Sequence, residues 1–115
     1  MKHIIHVDNS EFFRKLMKTF LSEIGLDSEN FERGEDAMKA VEAGKANCVI
    51  TGLTLADMSG EEFVKRLTVS NQAVAVIVVT SSDDEKQDAR LNALKVKAII
   101  RKSGDWKEDL SKILA

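Results

Sequence analysis

The chain has 115 residues, 43% of them hydrophobic, which is enough for one domain with an ordinary core over residues 1–115. Its formal net charge of -2 argues against general binding to nucleic acid or membrane surfaces. No apolar stretch approaches the ~20 residues of a membrane span, and we find no signal peptide, so we expect a cytoplasmic protein. The single cysteine, Cys48, excludes an internal disulfide and a cysteine metal cage.

Strand-like and helix-like segments alternate five times along the chain, beginning with HIIHV (3–7), which predicts a buried strand. Apolar residues at helical spacing from Phe12 to Ile24 then predict the strongest amphipathic helix of the chain. A weak, polar second strand near 27–31 suits a sheet edge, and a second helix is predicted over 35–43.

The second half of the chain continues the alternation. Three further strands are predicted over 47–51, 74–79 and 97–101. The helices after the third and fourth strands each begin with a predicted capping box, Ser59 with Glu62 and Ser82 with Glu85. Such strict alternation predicts an α/β fold with a parallel sheet covered by helices on both faces.

Polar groups follow three of the predicted buried strands, and one buried strand is followed by a residue without a side chain. The three polar groups are Asp8 with Asn9, Thr80 with Ser81, and Arg101 with Lys102. The third strand runs into Gly52 instead. Ligands of open parallel sheets bind outside the carboxyl ends of the strands, so we expect a carboxylate, a hydroxyl and an ammonium to converge around Gly52.

The chain resembles the receiver domain of bacterial two-component response regulators, the CheY-like family, over essentially its whole length. The resemblance rests on five segments in order, HVDNS, GEDAMKAV, VITGLTLADMSGEEF, VIVVTSSDD and IIRKS. It implies a flavodoxin-like (βα)5 fold, a doubly wound parallel sheet in the order 2-1-3-4-5. Helices one and five are then expected on one face, and helices two, three and four on the other.

In that family an aspartate after strand three takes a phosphoryl group from a histidine kinase, and an acidic pair after strand one helps to hold Mg²⁺. A Thr or Ser and a Lys bind the phosphoryl oxygens. By resemblance, the Thr position is Thr80, the Lys position is Lys102, and the acidic pair is Asp8 and Asn9. The acceptor position falls on Gly52, so the resemblance implies a degenerate pocket with no catalytic residue and no acyl phosphate.

The charges of this pocket also argue against a metal. Asn9 is a neutral amide, and Asp8 faces Lys102 alone, so the local charge is zero. Mg²⁺ requires carboxylates or substrate phosphates, and we therefore expect weak or absent Mg²⁺ binding and no cofactor. We expect Asp8 and Lys102 to form a partly buried ion pair and the Thr80 hydroxyl to bond local backbone, while anion binding in the vacated pocket stays open.

Three hypotheses for function follow. The first is a pseudo-receiver, a non-enzymatic protein–protein interaction module of a two-component phosphorelay that acts without phosphorylation. The second is a receiver phosphorylated at a displaced site, Asp57 or a threonine such as Thr51 or Thr54, although we expect the Asp57 carboxylate to face solvent or the start of the third helix. The third, a flavin or nucleotide binder, lacks the glycine-rich loop that such a site needs after the first strand.

The last third of the chain predicts a partner surface. Residues 86–115 carry 8 basic and 4 acidic side chains, against 9 basic and 15 acidic in residues 1–85, which suits an acidic signalling partner. The predicted surface consists of Leu91, Leu94, Lys95, Lys97, Ile99, Arg101 and Trp106. We expect neither a nucleic acid nor a membrane as partner, and an output domain is conceivable in a longer chain.

Overall fold

The computed structural model describes residues 3–44, 46–70 and 73–115. The strands are β1 (His3–Val7), β2 (Asp27–Phe31), β3 (Cys48–Thr51), β4 (Ala75–Thr80) and β5 (Ala98–Arg101). The helices are α1 (Glu11–Glu23), α2 (Gly34–Glu42), α3 (Gly60–Ser70), α4 (Glu85–Ala93) and α5 (Trp106–Leu114). Strand and helix alternate throughout, as the sequence predicts.

The five strands form one parallel sheet in the order β2-β1-β3-β4-β5, which confirms the predicted flavodoxin-like topology. Near the carboxyl edge, Val7 of β1 pairs with Thr51 of β3, and Thr51 pairs with Val78 of β4. Thr80 pairs with Arg101 of β5. This register brings the residues that follow β1, β3, β4 and β5 together at one edge of the sheet.

Apolar side chains cover both faces of the sheet, because successive strand residues point to opposite sides. On one face, α1 and α5 pack against the sheet through Phe13, Met17, Phe20, Leu21, Leu110 and Leu114. On the other face, α2, α3 and α4 contribute Ala37, Val41, Phe63, Val64, Leu67 and Leu91. The predicted division of the helices between the two faces is therefore correct.

The edges of the apolar stripe of α1 differ from the prediction. Phe12 is 74% exposed and Ile24 is 41% exposed, although both fall at helical spacing with the buried residues. A stripe read from spacing gives the buried direction of a helix, but residues at its margin meet solvent when no neighbouring element covers them.

The two predicted capping boxes are incomplete. The Ser59 hydroxyl accepts from the backbone N–H of Glu62 at 3.1 Å, but the Glu62 carboxylate bonds to Arg66. At α4 the cap is Asp84, which accepts from the N–H groups of the two residues that follow Glu85. The prediction of Ser82 as the cap of α4 is wrong, because a carboxylate two residues later occupies that position.

Among the described residues, no helix combines the length and the apolar character that crossing a lipid bilayer requires.

Candidate functional site

A polar cavity of about 250 Å³ lies at the carboxyl edge of the sheet, where the sequence predicts it. It is lined by Asp8, Asn9, Leu53, Thr54, Val79, Thr80, Ser81, Ser82, Gln87 and Lys102. Four of the five residues predicted for the degenerate pocket, all except Gly52, therefore line one cavity. The first turn of α4 adds Gln87, which the strand-end motifs do not indicate.

Asp8 and Lys102 form the ion pair that the sequence predicts. The Lys102 Nζ donates to Asp8 Oδ2 at 2.9 Å, and the backbone N–H of Ser10 donates to Oδ1 at 2.9 Å. The Asp8 side chain is 3% exposed and that of Lys102 is 23% exposed. The ammonium also lies 4.1 Å from the centre of the Phe13 ring, on its face, which adds a cation–π contact. Both oxygens of this carboxylate are thus engaged within the protein.

Gly52 follows β3 directly, and its missing side chain leaves space that Asp8 occupies. A Cβ built on Gly52 would lie 2.6 Å from Oδ2 and 3.0 Å from Cγ of Asp8. The Gly52 backbone is fixed as well, since its N–H donates to the carbonyl of Val7 at 2.9 Å. The carboxylate of Asp8, which follows the neighbouring strand β1, therefore occupies the space that a side chain at position 52 would take.

The hydroxyl groups at this edge bond to nearby backbone. The N–H of Ser82 donates to Thr80 Oγ1 at 2.9 Å, in agreement with the predicted local role of that hydroxyl. The buried Thr51 hydroxyl donates to the carbonyl of Gly52 at 2.8 Å. The Ser82 hydroxyl donates to Gln87 Oε1 at 3.0 Å, which connects the loop after β4 to α4.

Asp57 lies outside the cavity lining and caps a helix. Its carboxylate accepts from the backbone N–H groups of Gly34 at 2.6 Å and Glu35 at 3.1 Å, the first residues of α2. Partial desolvation raises the pKa of Asp57, but the hydrogen bonds from Glu35 and Gly34 outweigh it and hold the pKa below its ordinary value. The expectation that Asp57 faces the start of α3 is therefore wrong, because its carboxylate caps α2, whose first amides are otherwise unpaired.

The donor set of the cavity does not fit Mg²⁺. Within the described part of the chain, no three His, Cys, Asp or Glu side chains lie close enough together to hold a metal ion. Of the described residues that line the cavity, only Asp8 has a carboxylate, and it is already paired with Lys102. Asn9 offers a neutral amide oxygen. Because Mg²⁺ sheds its water only for anionic oxygen ligands, weak or absent Mg²⁺ binding stays our prediction for this site.

The apolar part of the predicted partner surface is not contiguous. Leu91 is fully buried in the core against Val64 and Val78, so it is unavailable to a partner. Leu94 and Ile99 are partly buried beside it. Trp106 packs on the opposite side of the sheet, in the α1–α5 layer, where its ring lies 5.0 Å from that of Phe13. Spacing along the chain did not reveal that β5 separates these side chains.

The basic part of that surface divides into paired and unpaired groups. Arg101 is paired with Asp88 of α4 and lies 3.8 Å from Asp83, so its charge is neutralised locally. Lys95 and Lys97 are exposed, and neither forms an ion pair with any residue that the structure describes. Within the predicted partner surface, the cations available to a partner are therefore Lys95 and Lys97, which lie just before β5.

His6 is buried below the cavity beside Phe13, with 5.9 Å between ring centres. Its Nδ1 donates to Asn30 Oδ1 at 3.1 Å, and its Nε2 has no hydrogen-bond partner among the residues that the structure describes. Burial lowers the pKa of His6 to about 4, while the hydrogen bond to Asn30 acts in the opposite direction. At neutral pH the imidazole is therefore uncharged.

A five-stranded parallel sheet with this order and a polar cavity at its carboxyl edge defines a flavodoxin-like α/β domain. The family profile of the response regulator receiver domain matches residues 4–114. The chain belongs to this family and is a receiver domain of two-component signalling.

Solved receiver structures share the fold. Response regulator protein TrrA of Thermotoga maritima, solved in complex with Mg²⁺ and BeF, has a TM-score of 0.87 at 26% identity, covering 99% of this chain and 97% of that one. Chemotaxis protein CheY4 of Vibrio cholerae has a TM-score of 0.88 at 22% identity, covering 99% of this chain and 96% of that one.

A longer curated protein also matches. The protein-glutamate methylesterase/protein-glutamine glutaminase of Bacillus subtilis (strain 168) is 28% identical over 122 residues, which include 98% of this chain. The chain spans about a third of that relative, 33% of its length.

Proposed function

We propose that this receiver domain is a pseudo-receiver, a protein–protein interaction module that works without aspartyl phosphorylation. The observation that carries the proposal is the occupied space at position 52. Gly52 follows β3 where the family has its phosphoacceptor, and the carboxylate of Asp8 fills the volume that a side chain there would need. A glycine offers no oxygen to attack a phosphoryl donor.

The remaining polar groups support this proposal. Phosphoryl transfer depends on cations and hydrogen-bond donors placed around the transferred group. Here Lys102 already donates to Asp8 and stacks on Phe13, and Thr80 already accepts from Ser82. A phosphoryl group entering the cavity would have to displace these contacts.

Among the described residues, Asp8 alone contributes a carboxylate to the cavity lining, and it is not a substitute acceptor in this proposal. Its two oxygens accept from Ser10 and Lys102, and its side chain is almost fully buried. A nucleophilic oxygen must be free and aligned with the attacked phosphorus, and neither oxygen of Asp8 meets that requirement. We therefore propose no catalytic role for this domain.

We also propose that the partner is an acidic signalling protein that binds the exposed cations before β5. Lys95 and Lys97 support this, since they lie in the segment 86–115, which carries more basic than acidic side chains. If the domain is joined to an output domain in a longer protein, it would act through such contacts. The methylesterase activity of the relative is not part of the proposal.

Intact-mass spectrometry after incubation with acetyl phosphate and Mg²⁺ tests the proposal. We expect no added mass on the wild-type chain, and we expect labelling of the double variant Asn9→Asp/Gly52→Asp, which restores the family's acidic groups. An added mass of about 80 Da on the wild-type chain would contradict the proposal. Hydroxylamine, which cleaves acyl phosphates but not phosphothreonine, would then separate Asp57 from a threonine as the displaced site.

A further inference from the structure

A groove lined mainly by aliphatic side chains lies at the amino edge of the sheet, on the opposite side of the domain from the cavity at Gly52. It has a volume of about 320 Å³ and lies between the C-terminal ends of α3 and α4, beside the start of β4. It is lined by Leu67, Thr68, Val74, Val76, Ala93, Leu94 and Lys95. Five of these seven side chains are aliphatic, so the groove suits an apolar group about the size of one or two side chains.

The groove has one charged group at its rim, Lys95, and this lysine has an unfavourable backbone conformation. Lys95 follows the C-terminal cap of α4 with φ of 64°, in the left-handed region. Glycine is the usual residue at such a position, since a β-carbon there clashes with the backbone. Lys95 therefore places a long cationic side chain at a position where glycine would stabilise the turn. Backbone strain of this kind is concentrated at binding sites.

The Lys95 ammonium is also free to bind. It is exposed and makes no ion pair with the described residues, whereas Arg90, five residues earlier and within α4, is held by both oxygens of Glu61. Lys97, two residues further on, is exposed and unpaired as well. A groove with aliphatic side chains in its lining, beside two cations that form no ion pair with the described residues, is complementary to an apolar side chain that is flanked by carboxylates.

We infer that the groove between α3 and α4 docks an acidic segment of a partner protein. The segment inserts a leucine-like side chain against Val74 and Leu94, which are only partly buried, and places a carboxylate on Lys95. This inference rests on the proposed function and deepens it, since it gives the phosphorylation-independent module a specific contact surface. The surface uses Leu94, Lys95 and Lys97 of the predicted partner surface and omits its buried or paired members.

A peptide titration followed by ¹⁵N NMR of the full chain tests the inference. The probe is a capped peptide with two leucines flanked on both sides by glutamates, and its controls replace the glutamates with lysines or the leucines with serines. We expect saturable shifts at Thr68, Ala93, Leu94 and Lys95, with a dissociation constant of about 0.1–1 mM for so short a contact. Added salt should weaken the binding, as a rim ion pair requires.

Substitutions at Lys95 separate recognition from stability. Lys95→Asn removes the charge but tolerates the left-handed conformation, and we expect it to weaken the peptide about two- to fivefold. Lys95→Gly should also weaken the peptide, yet raise the unfolding temperature of the free domain. The matched control is Lys107→Asn, on α5, which should leave the affinity for the peptide unchanged.

Three results would overturn the inference: no saturable shifts, shifts centred outside the groove, or equal affinity for the lysine-flanked peptide. Shifts at groove residues on simple dilution of the protein would also overturn it, because a second copy of the chain would then be the occupant. The mass measurement with acetyl phosphate is independent of these results. If acetyl phosphate adds mass to the protein and the peptide still binds, only the proposed lack of phosphorylation is contradicted. If no mass is added and the peptide does not bind, only the inference about the groove is contradicted.

Discussion

Adding a side chain at Gly52 should destabilise the domain, because Asp8 occupies the space. A β-carbon there would lie 2.6 Å from Oδ2 and 3.0 Å from Cγ of Asp8, well inside the ~3.5–4.0 Å of a favourable contact. Asp8 cannot yield without stretching its 2.9 Å hydrogen bonds to Ser10 or Lys102. Gly52→Ala therefore isolates the steric conflict, and Gly52→Asp adds a second carboxylate beside one lysine.

The expected losses follow from these contacts. Overpacking a tight site costs about 1–3 kcal/mol, and removing the freedom of a glycine in the unfolded chain returns about 0.4–1 kcal/mol. We expect Gly52→Ala to lose about 1–2 kcal/mol of unfolding free energy. Breaking a buried ion pair costs about 3–5 kcal/mol, but Lys102 keeps one carboxylate in Gly52→Asp, so we expect a loss of about 2–4 kcal/mol.

Urea unfolding of the variants, with and without Mg²⁺, measures these losses. The control is Gly104→Ala, whose new β-carbon would meet only the Arg101 carbonyl at an ordinary 3.7 Å and should change stability by less than about 0.5 kcal/mol. Mg²⁺ should stabilise Asn9→Asp/Gly52→Asp more than Gly52→Asp. If Gly52→Ala is as stable as the wild type, Asp8 does not fill that space tightly. Strong Mg²⁺-dependent labelling of Gly52→Asp by acetyl phosphate would contradict the role given to Asn9.

Two further predictions concern groups away from Gly52. The unfolded chain protonates His6 near the ordinary pKa of 6.5 while the folded pKa is about 4, so stability present above pH 6.5 should fall by about 3 kcal/mol as the pH drops from 6.5 to 4. His6→Gln, measured by urea unfolding across this range, should remove that part of the slope, and an unchanged slope would contradict a neutral buried imidazole. Asp57→Ala should cost about 1 kcal/mol through loss of the α2 cap on Gly34 and Glu35, whereas Asp57→Asn should cost less. Equal, negligible losses in thermal unfolding would contradict the capping role.

The sheet order and the division of helices were predictable because apolar runs and five motifs agree along the whole chain. The burial of individual side chains at the margins of these elements was not predictable. Phe12 has the spacing of a buried residue but lies at the edge of its stripe, and Leu91, predicted on the partner surface beside Leu94, is fully buried in the core. Which side chain a neighbouring helix covers depends on the packing of two elements, and the pattern of one element does not contain that information.

The pocket was predictable in its members and less so in their contacts. The ends of parallel strands bring Asp8, Thr80 and Lys102 to one edge, and opposite charges indicate the ion pair. Two contacts required the structure. Asp57 reaches back across the loop to α2, and Lys95 adopts the left-handed conformation that the sequence would lead one to expect only of glycine. Both depend on loop geometry, which residue types constrain weakly.

We propose that the cavity at the carboxyl edge binds neither a phosphoryl group nor its metal. The most direct test is an NMR titration of the ¹⁵N-labelled wild-type chain, first with Mg²⁺ and then with beryllofluoride, which mimics the phosphoryl group. We expect no saturable shifts at the amides of Asn9, Thr80, Ser81 and Lys102. Saturable, Mg²⁺-dependent shifts converging on those four amides would contradict it, because they would show a receiver pocket that still works without a carboxylate at position 52.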